Sequence, residues 1–329
     1  GYQIGDRVGL TGVELAYEKD LRGVKGRKHV EVDVYEREVN VLASDPPEPG
    51  HSVYLTVDLD FQEAVETALR EGMRSAREKL KIHDPSLCRS AVAIAMNPQT
   101  GEILAMVSLP TYENNRFARF IPEDYYRQLE SDTRGNPLTN HAISSEFPPG
   151  STFKIIVAAG GLEEGVITES TRYYCGGILW LPNRFYPEDP SLAQPFYCWI
   201  YHDYHGHHGS MNVISGLGQS CDIYFYHVGG GYRDQAEGLG EVRMGYYAEL
   251  FGMGSRSGID LPGEAPGLVP TSKWKRINYS ESWVTGDTYN MSIGQGFVLA
   301  TPLQVLDSAA TIANGGTLYR PQLVEEIMD

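Results

Sequence analysis

The sequence predicts an α/β protein in which helices pack on a mostly antiparallel sheet, with a small strand-rich piece in front of it. Three observations carry this: a strictly alternating run at residues 28–35, a proline-rich break at 44–50, and then a strand, a helix and a hairpin in that order.

In Lys28-His29-Val30-Glu31-Val32-Asp33-Val34-Tyr35 apolar and polar side chains alternate at the period of a half-buried strand. Ser44-Asp45-Pro46-Pro47-Glu48-Pro49-Gly50 is expected to be a linker, because proline continues neither a helix nor a central strand. The boundary is placed there, with residues 1–50 in one piece and 51–329 in the other. Ser52-Val53-Tyr54-Leu55-Thr56-Val57 predicts a strand, and Asp58 or Asp60 can cap a helix through Phe61, Val65, Ala68 and Leu69. Ala91–Met96 and Glu102–Val107 flank Asn97-Pro98-Gln99-Thr100-Gly101, which predicts a hairpin. Cys88, just ahead of it, is expected to be a small core residue. Residues 170–210 are rich in Tyr, Trp, Pro and His with little periodicity, and predict an irregular insertion. Helical texture returns at Val213, and Gly294-Gln295-Gly296 and Asn314-Gly315-Gly316 predict turns.

The 329 residues suffice for a large domain with a smaller partner, and 41% hydrophobic and 21% charged residues argue against disorder. A net charge of -16 with no basic run repels phosphate backbones, so nucleic acid is excluded as an expected partner. The opening Gly1-Tyr2-Gln3-Ile4-Gly5-Asp6 shows no leader pattern, and no apolar run reaches the roughly 20 residues of a bilayer-spanning helix. Without an initiator Met and with an abrupt stop at Ile327-Met328-Asp329, the chain is expected to be an excised piece of a longer protein.

The chemistry gathers in Pro148-Pro149-Gly150-Ser151-Thr152-Phe153-Lys154. A serine hydroxyl is a weak nucleophile until a base takes its proton, and residues three apart on a helix share a face, so Ser151 and Lys154 put an amine beside a hydroxyl. The apolar run Ile155-Ile156-Val157-Ala158-Ala159 predicts a buried helix starting there, whose first N–H groups can stabilise an oxyanion. A plain N-cap is the other use for such a serine. Ser272-Lys273-Trp274-Lys275 fits the same Ser-x-x-Lys spacing, but it carries two cations and opens no apolar run, so a solvated loop or helix face is expected. There is no Gly-x-Ser-x-Gly, no Gly-Lys dipeptide and no His-Glu-x-x-His.

Pro148–Lys154 closely resembles the first active-site motif of penicillin-binding proteins. Ser220-Cys221-Asp222, followed by Ile223-Tyr224-Phe225-Tyr226, resembles their second motif as the class B elongation branch, penicillin-binding protein 2, writes it. Further stretches fit that branch in order: Gly12-Val13-Glu14 with Leu21-Arg22-Gly23, Asn97–Met106, Gly258–Glu264, and Ser292–Gly296 with Thr301-Pro302-Leu303-Gln304. The resemblance implies the penicillin-recognising serine transpeptidase fold in residues 51–329, behind part of an N-terminal pedestal, or dimerisation, domain in residues 1–50. No Lys is followed by Thr or Ser and then Gly, so the transpeptidase domain is expected to be truncated before its third motif and this piece to be inactive by itself.

The implied reaction is D,D-transpeptidation. Ser151, deprotonated by Lys154, attacks D-Ala-D-Ala of a peptidoglycan stem peptide; Ser220 relays protons, and Asp222 holds Lys154 and the substrate. β-Lactams would acylate the same serine, and the chemistry needs no cofactor. Implied partners are stem peptides, β-lactams and a membrane glycan polymerase of the elongation machinery. The implied location is the extracytoplasmic face of the membrane, to which the full-length protein is anchored. A D,D-carboxypeptidase and a non-catalytic β-lactam sensor or scaffold are the alternatives.

Five of the nine histidines (His202, His205, His207, His208 and His227) cluster with Cys175, Cys198 and Cys221. A Cys175–Cys198 disulfide is one reading. Some proteins of the elongation branch carry a metal behind the second motif, and the matching positions are Cys175, Cys198, His208 and Cys221, three thiolates and an imidazole suited to a structural zinc ion. The middle residue of Ser220-Cys221-Asp222 would point away from its neighbours, out of the active site. Buried thiols are the third reading. His202, His205 and His207 are expected to be solvated.

Overall fold

The computed structural model describes residues 7–82, 84, 87–118, 121–233 and 235–328. The opening Gly1–Asp6 lies outside them, as does Asp329. The chain divides into two compact units: Gly1–Ala142 with Gly258–Glu264 and Arg320–Asp329, and Ile143–Ser257 with Ala265–Tyr319.

In the first unit, short helices Gly12–Ala16 and Glu18–Leu21 precede an antiparallel ribbon of strands Arg27–Val32 and Glu38–Asp45, in which Val30 faces Val41. The expected strand thus stops at Val32. Asp33 breaks it by accepting the Tyr35 and Arg37 amides at 2.8 and 3.1 Å, and Glu36 takes a left-handed φ of 61°. Of the two strands only Val30 is even partly buried. Alternation assigns side chains to faces, but burial needs a second layer over one of them. The expected linker is also partly paired. Within Pro46-Pro47-Glu48-Pro49 only Glu48 retains a backbone N–H, and it pairs with Val24 through two 2.9 Å bonds.

Strand Ser52–Leu55 pairs antiparallel with Val324–Met328. Asp58 caps the helix Leu59–Lys79 by accepting the Phe61 amide at 2.9 Å. The hairpin joins strands Ala91–Met96 and Ile103–Leu109, with Ala93 opposite Val107 and Gly101 at φ 80° in the turn. The inward set Ile103, Ala105, Val107 and Leu109 is buried. Gln62 locks helix to hairpin, donating to the Met106 carbonyl at 2.9 Å and accepting its amide at 2.8 Å. Asp260 accepts the Leu323 and Val324 amides at 2.8 and 2.9 Å and the Tyr17 hydroxyl at 2.9 Å, and burial together with this carboxylate pushes the Tyr17 pKa up to about 12. Cys88 is only partly buried, with a left-handed φ of 54°, and Arg77 binds its carbonyl. Its place ahead of the strand leaves it outside the core.

The second unit is mostly helical. Helices Lys154–Glu163, Asp222–Gly230, Gly240–Leu250 and Thr285–Ser292 pack around Phe153, Ile156, Tyr224, Phe225, Met244 and Tyr289. Residues 170–210, expected to be irregular, contain two small antiparallel pairs, Tyr173–Cys175 with Gly209–Met211 and Ile178–Leu181 with Gln194–Tyr197, and a helix Trp199–Tyr204. Strands of three or four residues are too short to display a readable period. Every strand pair described is antiparallel. No helix among the described residues is long and apolar enough to cross a membrane.

Candidate active site

Ser151 lies in a 3-10 turn, Gly150–Phe153, that runs directly into the Lys154–Glu163 helix. Gly150, at φ 60°, turns the chain inward and donates its amide to the Gly294 carbonyl at 2.9 Å. Gly294 is itself at φ 68°, and a Cβ there would fall 2.2 Å from the Gly150 oxygen and 2.7 Å from the Phe153 Cβ. Only glycine allows so close an approach, and the contact sets the angle at which the serine turn leaves the chain. Ser151 is exposed, whereas Lys154 is 1% exposed.

Four oxygens surround the Lys154 Nζ: Ser151 Oγ at 3.1 Å, Ser220 O at 2.9 Å, Ser220 Oγ at 3.0 Å and Asp222 Oδ1 at 2.6 Å. A lysine nitrogen has at most three protons to give, so two of these four contacts share one proton. Ser220 Oγ donates to Ser151 Oγ at 2.8 Å, closing a triangle of two hydroxyls and one amine. Asp222 is buried, and its second oxygen accepts the Trp199 amide at 2.8 Å. Burial raises its pKa above the ordinary carboxylate range, and the Lys154 charge works against that rise.

Ser220 is delivered by the end of the Val213–Gly218 helix. The Cys221 amide binds the Gly216 carbonyl at 2.8 Å and the Ser220 amide binds the Leu217 carbonyl at 3.0 Å, the bond pair of a Schellman ending. Ser220 therefore has φ 51°, the left-handed position usually given to glycine.

Cys221 turns its side chain the other way. Its Sγ, those of Cys175 and Cys198, and a ring nitrogen of His208 lie within 4.8 Å of one another, and the three cysteines are buried. His208 Nδ1 is 3.6 Å from Cys175 Sγ and 3.5 Å from Cys198 Sγ. All four cysteines are free thiols, so of the three readings the Cys175–Cys198 disulfide is not the one adopted. Hydrogen bonds with the Cys198 and Cys221 thiols draw the Cys175 pKa down, while that of Cys221 is driven up by hydrogen bonds with Cys175 and Cys198 and by burial. Such a cluster carries charge readily at one sulfur and reluctantly at the last.

The structure thus brings Ser151, Lys154, Ser220 and Asp222 together in one group and Cys175, Cys198, His208 and Cys221 in the adjoining one. His202, His205 and His207 are exposed. The second Ser-x-x-Lys lies on a helix with Ser272 and Lys273 exposed, as expected, and differs only at Lys275. It starts a helix, Ser272–Tyr279, capped by Thr271, and Lys275 is buried because Asp287, at 2.7 Å, neutralises it. Two residues given no site role by the sequence reading lie against the site: Gly294, read as a turn glycine within the family-like stretch Ser292–Gly296, and Trp199, whose signal is its adjacency to Cys198.

A family model described as the penicillin-binding protein transpeptidase domain matches residues 91–329, and one described as the penicillin-binding protein dimerisation domain matches residues 1–55. The peptidoglycan D,D-transpeptidase MrdA of Escherichia coli K12 is 34% identical over 96% of this chain and 44% of its own length, and that of Acinetobacter baumannii 33% identical over 96% and 42%. The chain spans less than half of these relatives. Among solved structures, Pseudomonas aeruginosa PBP2 in complex with WCK 5153 superposes with a TM-score of 0.74 at 32% identity, covering 97% of this chain and 60% of that one. PBP2 of Helicobacter pylori, solved in complex with MreC, gives 0.74 at 29% identity over 98% and 54%. A peptidoglycan synthase complex that coordinates polymerization and crosslinking gives 0.83 at 33% identity over 100% and 53%. With its fold, its motif spacing and its match over residues 91–329 in agreement, the chain belongs to the penicillin-binding protein transpeptidase family.

Proposed function

We propose that the protein containing this chain is a peptidoglycan D,D-transpeptidase of wall elongation that works through an acyl-enzyme on Ser151. The observation that carries the reading is the buried Lys154 Nζ, 3.1 Å from Ser151 Oγ and anchored at 2.6 Å by Asp222. Ser151 Oγ attacks the carbonyl carbon of the penultimate D-Ala as its proton passes to Lys154. The tetrahedral adduct collapses, the C–N bond breaks, and the departing D-Ala amine takes a proton through Ser220 Oγ, which bridges Ser151 and Lys154 at 2.8 and 3.0 Å. An amine of a second stem peptide then attacks the ester, and the proton it loses returns to Ser151 Oγ. A β-lactam would be opened by the same first step.

Residues 1–50 are assigned to the pedestal and 51–329 to the transpeptidase domain, a division supported by the dimerisation-domain match that ends at residue 55. The synthase complex that coordinates polymerization and crosslinking supports a membrane glycan polymerase as a partner, and the penicillin-binding family supports β-lactams as ligands. The location proposed with them is the extracytoplasmic face of the membrane.

Cys175, Cys198, His208 and Cys221 are assigned to a structural zinc ion. At tetrahedral angles, zinc bonds of about 2.3 Å to sulfur and about 2.0 Å to nitrogen put the two donors about 3.5 Å apart. The His208 Nδ1 distances of 3.6 and 3.5 Å fit that edge. The bound ion would tie the segments carrying Trp199 and Ser220 to strand Tyr173–Cys175.

Full-length protein incubated with a fluorescent penicillin should label, and Ser151→Ala should not; a variant that still labels removes Ser151 from its role. Elemental analysis should find about one zinc per chain, and Cys221→Ser should reduce it. Zinc-free wild-type protein would reject the metal assignment.

A further inference from the structure

The left-handed Ser220 poses a physical problem. A side chain in that region costs about 1–2 kcal/mol, so such residues persist only where their surroundings hold them. At φ 51° the Ser220 carbonyl and hydroxyl both face Lys154 Nζ, at 2.9 and 3.0 Å. The carbonyl just before it, on Gln219, caps the Val213–Gly218 helix and is one of the acceptors a helix end leaves without an internal partner. Trp199 supplies the partner: its indole Nε1–H donates to Gln219 O at 3.1 Å. The same residue donates its backbone amide to Asp222 Oδ2 at 2.8 Å. One residue therefore grips the chain on both sides of Ser220-Cys221.

Trp199 is suited to this task by what surrounds it. It opens the Trp199–Tyr204 helix directly after Cys198, and its ring lies edge-on to Tyr204 at 6.2 Å and beside the His208 imidazole at 5.7 Å. The ring is 39% exposed, so its burial is modest and its polar edge is the part with a fixed partner. Without the indole donor, the Gln219–Ser220 peptide is held on its amide side alone, by the 3.0 Å bond to the Leu217 carbonyl, and Ser220 can shift toward negative φ, which would carry its carbonyl and hydroxyl away from Lys154.

We infer that Trp199 is a positioning residue for Ser151 acylation, its indole N–H holding the Gln219 carbonyl so that Ser220 stays in the left-handed conformation facing Lys154. The inference rests on the proposed nucleophilic role of Ser151.

The test uses full-length protein and stopped-flow acylation by a chromogenic β-lactam, which separates the binding constant of the first complex from the acylation rate constant. Two variants remove the donor: Trp199→Phe, and a chain carrying β-(3-benzothienyl)alanine at position 199, which keeps the ring shape and replaces N–H by sulfur. The acylation rate constant should fall about tenfold in both, equivalent to about 1.4 kcal/mol and the size of one hydrogen bond. The binding constant should stay within about twofold, and the zinc content unchanged. If the benzothienyl variant acylates within about twofold of wild type, the inference is overturned whatever Trp199→Phe does, including failure to fold. If wild type does not acylate, or Ser151→Ala does, the fault lies in the nucleophile assignment instead.

Discussion

Lys154 could occupy the interior only with partners, because an isolated ammonium is too costly to bury. Asp222 and the two serines supply them, and the last of these, Ser220, is held in a strained conformation to do so. That strain can be measured by comparing two substitutions that both remove the hydroxyl. Ser220→Gly should unfold at higher denaturant than Ser220→Ala, by about 1 kcal/mol, since only glycine also removes the Cβ that disfavours positive φ. Equal stabilities would mean that the left-handed backbone costs nothing here. Both variants should acylate poorly, so the more stable protein is not the more active one. The pairing of Ser151, Lys154, Ser220 and Asp222 was legible in the sequence, through motif spacing and resemblance. The strain at Ser220 was not, because a Schellman ending with serine in the glycine position has no residue-type signal.

At the scale of elements, the second motif is positioned by helix Asp222–Gly230 lying against helix Thr285–Ser292. The approach is set by small residues: a Cβ on Gly229 would fall 2.3 Å from the Ser292 Cβ, and one on Gly230 would fall 2.4 Å from the Tyr289 ring. Tyr289 is fully buried and donates its hydroxyl to the Gly231 carbonyl at 2.7 Å. Gly229→Ala improves intrinsic helix propensity by about 1 kcal/mol, yet two Cβ atoms cannot rotate out of each other's way. The variant should therefore lose about 2 kcal/mol of stability in urea unfolding. A variant as stable as wild type would show that the helices separate without cost. The hairpin and the Leu59–Lys79 helix were readable from period and turn residues. The strands within residues 170–210 were not, since their order comes from pairings such as Tyr173 with Met211 across a long sequence gap.

Over the folded molecule as a whole, His227 links stability to pH. It is 5% exposed, its Nδ1 lies 2.7 Å from the Ile223 carbonyl, and its ring stacks on Tyr173 at 4.6 Å. Burial lowers its pKa, partly opposed by the carbonyl bond, so the fold holds the neutral ring. The unfolded chain then binds the proton more tightly than the folded one. The stabilising contribution is fully present above the unfolded value of about 6.5 and is lost as pH falls through the folded pKa below it. Wild type should thus lose more melting temperature between about pH 7.5 and about pH 5.5 than His227→Gln does. Identical losses in the two proteins would exclude His227 as the source. Elsewhere the net charge of -16 adds a repulsion that salt weakens, and that salt response should be common to both proteins.

The sequence by itself determined the class of fold, and it singled out Ser151 with Lys154 through local spacing, and Ser220, Asp222 and the set Cys175, Cys198, His208 and Cys221 through resemblance to a family's motifs. Tertiary structure alone decided that the Arg27–Asp45 ribbon is exposed, that Lys275 is buried against Asp287, that Cys88 lies outside the core and that the cysteines remain thiols. It also brought Trp199 onto Gln219 and Asp222. The division has one physical reason. Periodicity and motif chemistry are local properties of a chain, whereas burial, charge neutralisation and hydrogen bonds between distant segments exist only once those segments have been packed together.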